Sequence, residues 1–261
     1  MTQAPTAWQV EIEAAELYEA HFVPAIFQRW AEELVRFAEL QPGQQVLDVA
    51  CGTGAVARAA LAAVGPGGNV TGSDLNAGML EVAGRTAPEI DWVQSDAAAL
   101  DFEDDTFDVV ICQSALMFFP DPAAAVREMA RVAKPGGRVV LQTWGRSKGY
   151  EMLAGVFDEV ASSDAAAIIR APFGMPEMAT VQELATGSRL AIDAACTHWD
   201  VAEFDSMDGF VRTEIMASPL ATMVDPDEIL SAATPVMQPF QQACGSAVIP
   251  LSGHFVRATV A

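Results

Sequence analysis

The residues best suited to chemistry stand together early in the chain, in Asp48-Val49-Ala50-Cys51-Gly52-Thr53-Gly54. The apolar pair Val46-Leu47 leads in and Ala55-Val56-Ala57 leads out, which reads as a turn from a strand into a helix. Glycines at such a turn let a ligand approach the backbone closely. The first N–H groups of the following helix lack helical partners and can face a polar or anionic group. Two further acids, Asp74 in Gly72-Ser73-Asp74 and Asp96 in Gln94-Ser95-Asp96, also close short strand-like runs. A carboxylate offers two acceptor oxygens, which suits a pair of hydroxyls or an amino group.

The spacing Gly52-Thr53-Gly54-Ala55-Val56-Ala57 also admits a dinucleotide site, with Asp74 as the acid that takes a ribose. Three features speak against it. Asp48 sits inside the strand end, where a dinucleotide fold wants an apolar residue. A second acid-ended strand, Trp92–Asp96, can hold an adenine amino group. Lys134-Pro135-Gly136-Gly137 then stands directly before a fifth strand.

These acids need a sheet to carry them, and strand and helix patterns alternate accordingly. Strands are expected at 45–50, 70–74, 91–94, 107–113, 138–144, 190–201 and 247–260. Helices are expected at 55–64, 77–87, 122–133, 151–160, 180–186, 210–216 and 228–244. Residues 8–40 read as two helices, with Pro24 in the first turn of the second. Alternating strands and helices imply right-handed crossovers and a Rossmann-like α/β architecture, a seven-stranded, mostly parallel sheet with helices on both faces. The chain is expected to be a single domain over 1–261, with 1–44 as a helical lid, 45–145 as the cofactor-binding core and 146–261 as a substrate-side cap with the last strands.

Composition excludes several function classes. With 14 basic and 35 acidic residues, the net charge of −21 repels a phosphate backbone or an anionic membrane. Cys51, Cys112, Cys196 and Cys244 form no CxxC pair, so neither a zinc site nor a disulfide framework is expected, and no other metal is. Met1–Trp8 has no basic n-region or apolar h-region, and no run approaches a membrane span, so the expected location is the cytoplasm.

In that order and spacing, "VLDVACGTG", "GSDLNAGMLEVA", "SDAAALDFEDDTFDVVICQSALMFF" and "AKPGGRVVLQTW" resemble the class I S-adenosylmethionine (SAM)-dependent methyltransferases, in particular the small-molecule subgroup similar to ubiquinone/menaquinone-biosynthesis enzymes. The resemblance covers residues 15–145. It implies an antiparallel last strand, an N-terminal helical lid, and methyl transfer from SAM to a small, apolar or aromatic acceptor, giving S-adenosylhomocysteine. Asp48 would orient the loop and meet the methionine ammonium. Gly52 and Gly54 would let the cofactor lie on the backbone, with Ala50 where the family often has a further glycine. Asp74 would take the ribose hydroxyls, Leu75 an adenine face, Asp96 and the Ala97 N–H the adenine edge, and the Gln113 carbonyl the methionine portion.

The acceptor side is less marked. Tyr18, Phe22, Met117 and Phe118 are the expected substrate-binding residues, and His21 and Tyr18 the only candidates for a catalytic group. His198 and His254 read as structural, and Ala171–Pro176 with Met207, Met216 and Met223 as an adaptable cover. A homodimer is compatible with the sequence. Two other activities fit the same motifs: a SAM-binding enzyme catalysing a non-methylating step such as cyclisation, and an NAD-binding oxidoreductase.

Overall fold

The computed structural model describes residues 11–188 and 190–261. The reading of Met1–Trp8 thus lies outside the described residues. The strands are β1 (Gln45–Val49), β2 (Asn69–Asp74), β3 (Asp91–Gln94), β4 (Phe107–Gln113), β5 (Ala133–Trp144), β6 (Leu190–Phe204) and β7 (Ala247–Val260). They form one seven-stranded sheet in the order β3-β2-β1-β4-β5-β7-β6. β7 runs antiparallel to both of its neighbours, and the other pairings are parallel.

Side chains alternate between two buried clusters along the central strands, which is why these strands read as unbroken apolar runs. Val46, Val109, Ile111, Val140 and Phe255 enter one cluster. Leu47, Val110, Cys112, Leu141 and Val256 enter the other. Helices α1 (Ile12–Leu17), α2 (Gln28–Ala38) and α3 (Ala55–Val64) precede β2, and α4 (Ala77–Thr86) follows it. In α2, the buried Trp30, Ala31, Leu34, Val35 and Ala38 form a single stripe against the first cluster. Beyond β4 come α5 (Pro122–Val132), α6 (Lys148–Val160), α7 (Ser163–Arg170), α8 (Met178–Gly187), α9 (Met207–Met216) and α10 (Pro226–Met237).

Three expectations are corrected. Residues 12–38 do not break into two helices at Pro24; a π-helical segment, Tyr18–Phe27, joins α1 to α2 and contains the proline. Proline lacks an N–H and its ring collides with the carbonyl four residues back, and the wider π turn relieves that collision. The Pro135-Gly136-Gly137 turn lies within β5: pairing jumps from Phe107↔Ala133 to Val109↔Arg138, and the intervening residues loop out with Gly136 at φ +75°. The helix expected at 228–244 ends at Met237 and gives way to a 3₁₀ turn at Gln238–Phe240, since Pro239 has no N–H with which to continue the helical ladder. The structure adds α7, whose alanine-rich sequence carried no clear period.

Candidate active site

The glycine turn is held by groups that the sequence itself supplies. Gly54, at the N-cap of α3, has no side chain to satisfy the first helical N–H groups. The buried Asp48 does so from below, accepting the Ala57 N–H at 3.0 Å. Burial pushes its carboxyl up to about 8, with the Ala57 hydrogen bond pulling the other way. Asp74 ties two loops together: Oδ2 accepts the Gly52 N–H at 2.8 Å and Oδ1 the Asn76 N–H at 2.8 Å. Burial raises its pKa as well. The Asn76 side chain caps α4, accepting from Gly78 and Met79. Asp96 accepts the Ala98 N–H at 2.9 Å and is otherwise exposed. Ala50 and Ser114, which follow the neighbouring strands β1 and β4, both adopt left-handed backbone conformations, at φ 55° and 54°. Strain of this kind collects at ligand sites.

These loops form one wall of a cavity of about 480 Å³. Asp48, Ala50, Gly52, Asp74, Leu75, Asp96, Ala97 and Gln113 all line it. Gly54 does not; its place is set by Trp92 of β3, because a Cβ at Gly54 would stand 2.4 Å from the Trp92 ring. A Cβ at Gly72 would stand 2.3 Å from the same ring. The reading of the sequence missed Trp92, although a glycine inside β2 is a sign that something approaches the strand closely.

The opposite wall is apolar. Tyr18, Phe22, Ile26 and Phe27 of the π-helical segment line it, as do Phe118, Phe119 and Trp144. Tyr18 stacks on Phe27 with ring centroids 5.1 Å apart, and desolvation raises its pKa well above the usual phenol range. Met117 is not among the lining residues, and the cavity takes Phe119 in its place. His21 is exposed and does not line the cavity. His254 is engaged by the Pro176 carbonyl at 2.9 Å and Thr197 Oγ1 at 3.0 Å, and His198 packs between Trp30 and Phe255. Of Ala171–Pro176, only Pro172 and Phe173 reach the cavity, and Met207, Met216 and Met223 do not. Among the described residues, no three His, Cys, Asp or Glu side chains are grouped to hold a metal ion, and no helix is long and apolar enough to cross a membrane. Burial raises both thiols near the loops, Cys51 and Cys112, so they stand as neutral packing groups.

The loop wall has the features of a site for a polar, nucleoside-sized group. Thr53 Oγ1 and Gln113 Nε2 are buried without a partner among the described residues, and both residues face the cavity. Above Gly52 the space is open, the nearest atom to a notional Cβ being Tyr18 Cε1 at 4.0 Å. Leu75 is 39% exposed at the mouth, an apolar platform for a flat ring.

Residues 47–141, from β1 into β5, match a family model described as a methyltransferase domain. The match covers the glycine turn and the three acids of the loop wall. Over 122 residues the chain is 39% identical to the demethylmenaquinone methyltransferase of Bacillus cereus (strain B4264), an alignment that covers 44% of this chain and 52% of that enzyme. The chain thus spans about half the length of the curated relatives it matches. Among solved structures, the [4+2]-cyclase SpnF superposes with a TM-score of 0.55 at 20% identity, covering 89% of this chain and 80% of that one. A phosphoethanolamine N-methyltransferase 2 of Haemonchus contortus, in complex with S-adenosyl-L-methionine, superposes at 0.53 with 19% identity, covering 86% and 50%. At these identities the likeness is one of fold, and it extends beyond residues 47–141 to the elements that follow them.

Proposed function

We propose that the protein is a SAM-dependent methyltransferase that acts on a small, largely apolar acceptor. One observation carries this reading: a single cavity has the acid-and-glycine loops of the methyltransferase domain on one side and an aromatic, aliphatic wall on the other. Asp74, fixed by the Gly52 and Asn76 N–H groups, presents its carboxylate to the cavity, which suits the ribose hydroxyls. Leu75 and the Asp96–Ala97 turn would receive the adenine. Asp48, Thr53 and Gln113 would surround the methionine portion. Bound there, SAM supplies a methyl group already activated by the positive charge on its sulfur.

The protein's own contribution is placement and exclusion of water. The π-helical segment closes the cavity with Tyr18 and Phe22, and Phe118 stands beside the end of β4. Such enclosure brings acceptor and methyl into line, and effective molarity then supplies much of the rate. Tyr18, whose phenol is held neutral by desolvation and nearby carboxylates, serves as a positioning residue.

Calorimetry with SAM on the wild type and on Asp74→Ala tests the cofactor site. We expect wild-type binding and at least roughly a hundredfold loss in the variant, as fits two charge-assisted hydrogen bonds. No wild-type binding, or equal affinity in the variant, would overturn it. The likeness to SpnF favours a second reading, a SAM-binding enzyme that catalyses cyclisation. Tight SAM binding with no S-adenosylhomocysteine released from any of a broad panel of acceptors would select it. The same proposal takes residues 1–261 as one domain. It also places the protein in the cytoplasm, a reducing compartment that suits four free cysteines, two of them exposed.

A further inference from the structure

The far end of the cavity holds a buried polar pair outside the methyltransferase domain. Tyr150 of α6 donates its hydroxyl to Glu214 Oε1 of α9 at 2.6 Å. Both residues line the cavity, and both are over nine-tenths buried. Tyr150 is the one hydrogen-bond partner of the Glu214 carboxyl among the described residues, and Glu214 lines the cavity, which leaves acceptor capacity for a ligand there. The surroundings are apolar: Tyr150 packs against Phe173 at 4.8 Å between ring centroids and against Phe210 at 5.6 Å. A carboxyl in such a place costs several kcal/mol unless something offsets it, and among the described residues no Lys, Arg or His lines the cavity. Burial accordingly pushes Glu214 up to about 8, with the Tyr150 hydroxyl pulling the other way. A leucine would fill the same volume at no such cost, so packing alone does not account for this residue.

We propose that Glu214, fixed by Tyr150, is the binding residue for the acceptor's polar head, and that this head is an uncharged hydroxyl or amino group on an apolar body. Groups of this kind both donate and accept hydrogen bonds, so they pair with the carboxyl in either protonation state. An anionic head is disfavoured, because Asp74, Asp96 and Asp121 also face the cavity and, among the described residues, no cationic side chain does. The inference rests on the proposed acceptor end of the site.

The test uses the full chain saturated with S-adenosylhomocysteine and three probes of one shape: 2-naphthol, naphthalene and 2-naphthoate. We expect the wild type to bind 2-naphthol roughly tenfold more tightly than naphthalene, the worth of one buried hydrogen bond, and 2-naphthoate more weakly than 2-naphthol. The double variant Glu214→Leu with Tyr150→Phe removes both polar partners without orphaning either. In it, 2-naphthol should fall to within about twofold of naphthalene, while Glu214→Gln keeps the preference because its amide still bonds the probe. SAM affinity should match the wild type in every variant, which separates failure of this idea from failure of the cofactor site. A preference for 2-naphthol that survives in the double variant overturns the proposal. So does 2-naphthoate binding as well as 2-naphthol, or no measurable binding of 2-naphthol to the wild type.

Discussion

The two walls of the cavity are made in different ways. The loop wall is set by backbone: Gly52 and Gly54 at positive φ, Ala50 and Ser114 in the left-handed region, and carboxylates bonded to N–H groups a few residues away or one strand over. The far wall is set by side chains from elements distant in sequence, with Tyr150 and Glu214 meeting across 64 positions. A backbone-built wall fixes one ligand shape and leaves a short sequence signature. A wall built from side chains can change its occupant by changing single residues, and its signature is scattered.

The largest effect should come from breaking the backbone-built wall. Gly54→Ala places a methyl group 2.4 Å from the Trp92 ring and imposes φ +89° on a residue with a Cβ. We expect a loss of about 2–4 kcal/mol, read as a lower thermal midpoint, with partial recovery when Trp92→Leu is added. A variant as stable as the wild type would show that Trp92 does not dictate this turn.

Next in size is a pH effect that the two walls share. Asp48 on one wall and Glu214 on the other are both held up to about 8 by burial. The folded chain therefore binds these protons more tightly than the unfolded chain, whose carboxyls titrate at ordinary values near pH 4. Their stabilising contribution is complete below that point and is lost as pH rises through about 8. The free energy of unfolding should fall between pH 5 and 9, by at most about 1.4 kcal/mol per pH unit for each group, read as a declining thermal midpoint. Asp48→Asn and Glu214→Gln should each flatten the decline. A profile that rises with pH, or one that neither substitution flattens, would contradict the buried, protonated assignment.

The smallest effect is a gain. Ala50 holds φ 55°, a conformation that glycine adopts without strain. Ala50→Gly should stabilise the fold by up to about 1 kcal/mol in urea unfolding, a figure limited by the freedom glycine adds to the unfolded chain.

How much was legible follows the same division. The succession of strands along the chain, Asp48, Asp74, Asp96 and the glycine turn lie in contiguous stretches whose period and spacing declare them. The reach of β3, β4 and β7 could be read because polar residues such as Gln94, Thr106, Gln113 and Ser246 bound their apolar runs. Trp92 escaped because it acts through space on two glycines of other elements. Glu214 escaped for a different reason. In α9 the buried Met207, Phe210, Val211, Glu214 and Ile215 keep helical spacing, with Thr213 buried beside them, so an acid stands within the buried stripe. That mismatch was readable, but its meaning required knowing that Tyr150 faces it. Pro24 misled because proline ordinarily opens a helix, whereas here a π turn absorbs it.

One guanidinium joins the two kinds of wall. Arg58 of α3 donates to the Thr53 carbonyl in the glycine turn at 2.7 Å and to Glu19 Oε1 in the π-helical segment at 2.9 Å. The turn and the aromatic cover thus share a partner and are not independent parts. Thermodynamic linkage makes such sharing reciprocal: whatever free energy a ligand in the turn lends to seating the cover, a ligand beneath the cover returns to the turn. The order in which two ligands enter then changes the rate of filling but leaves the final balance the same.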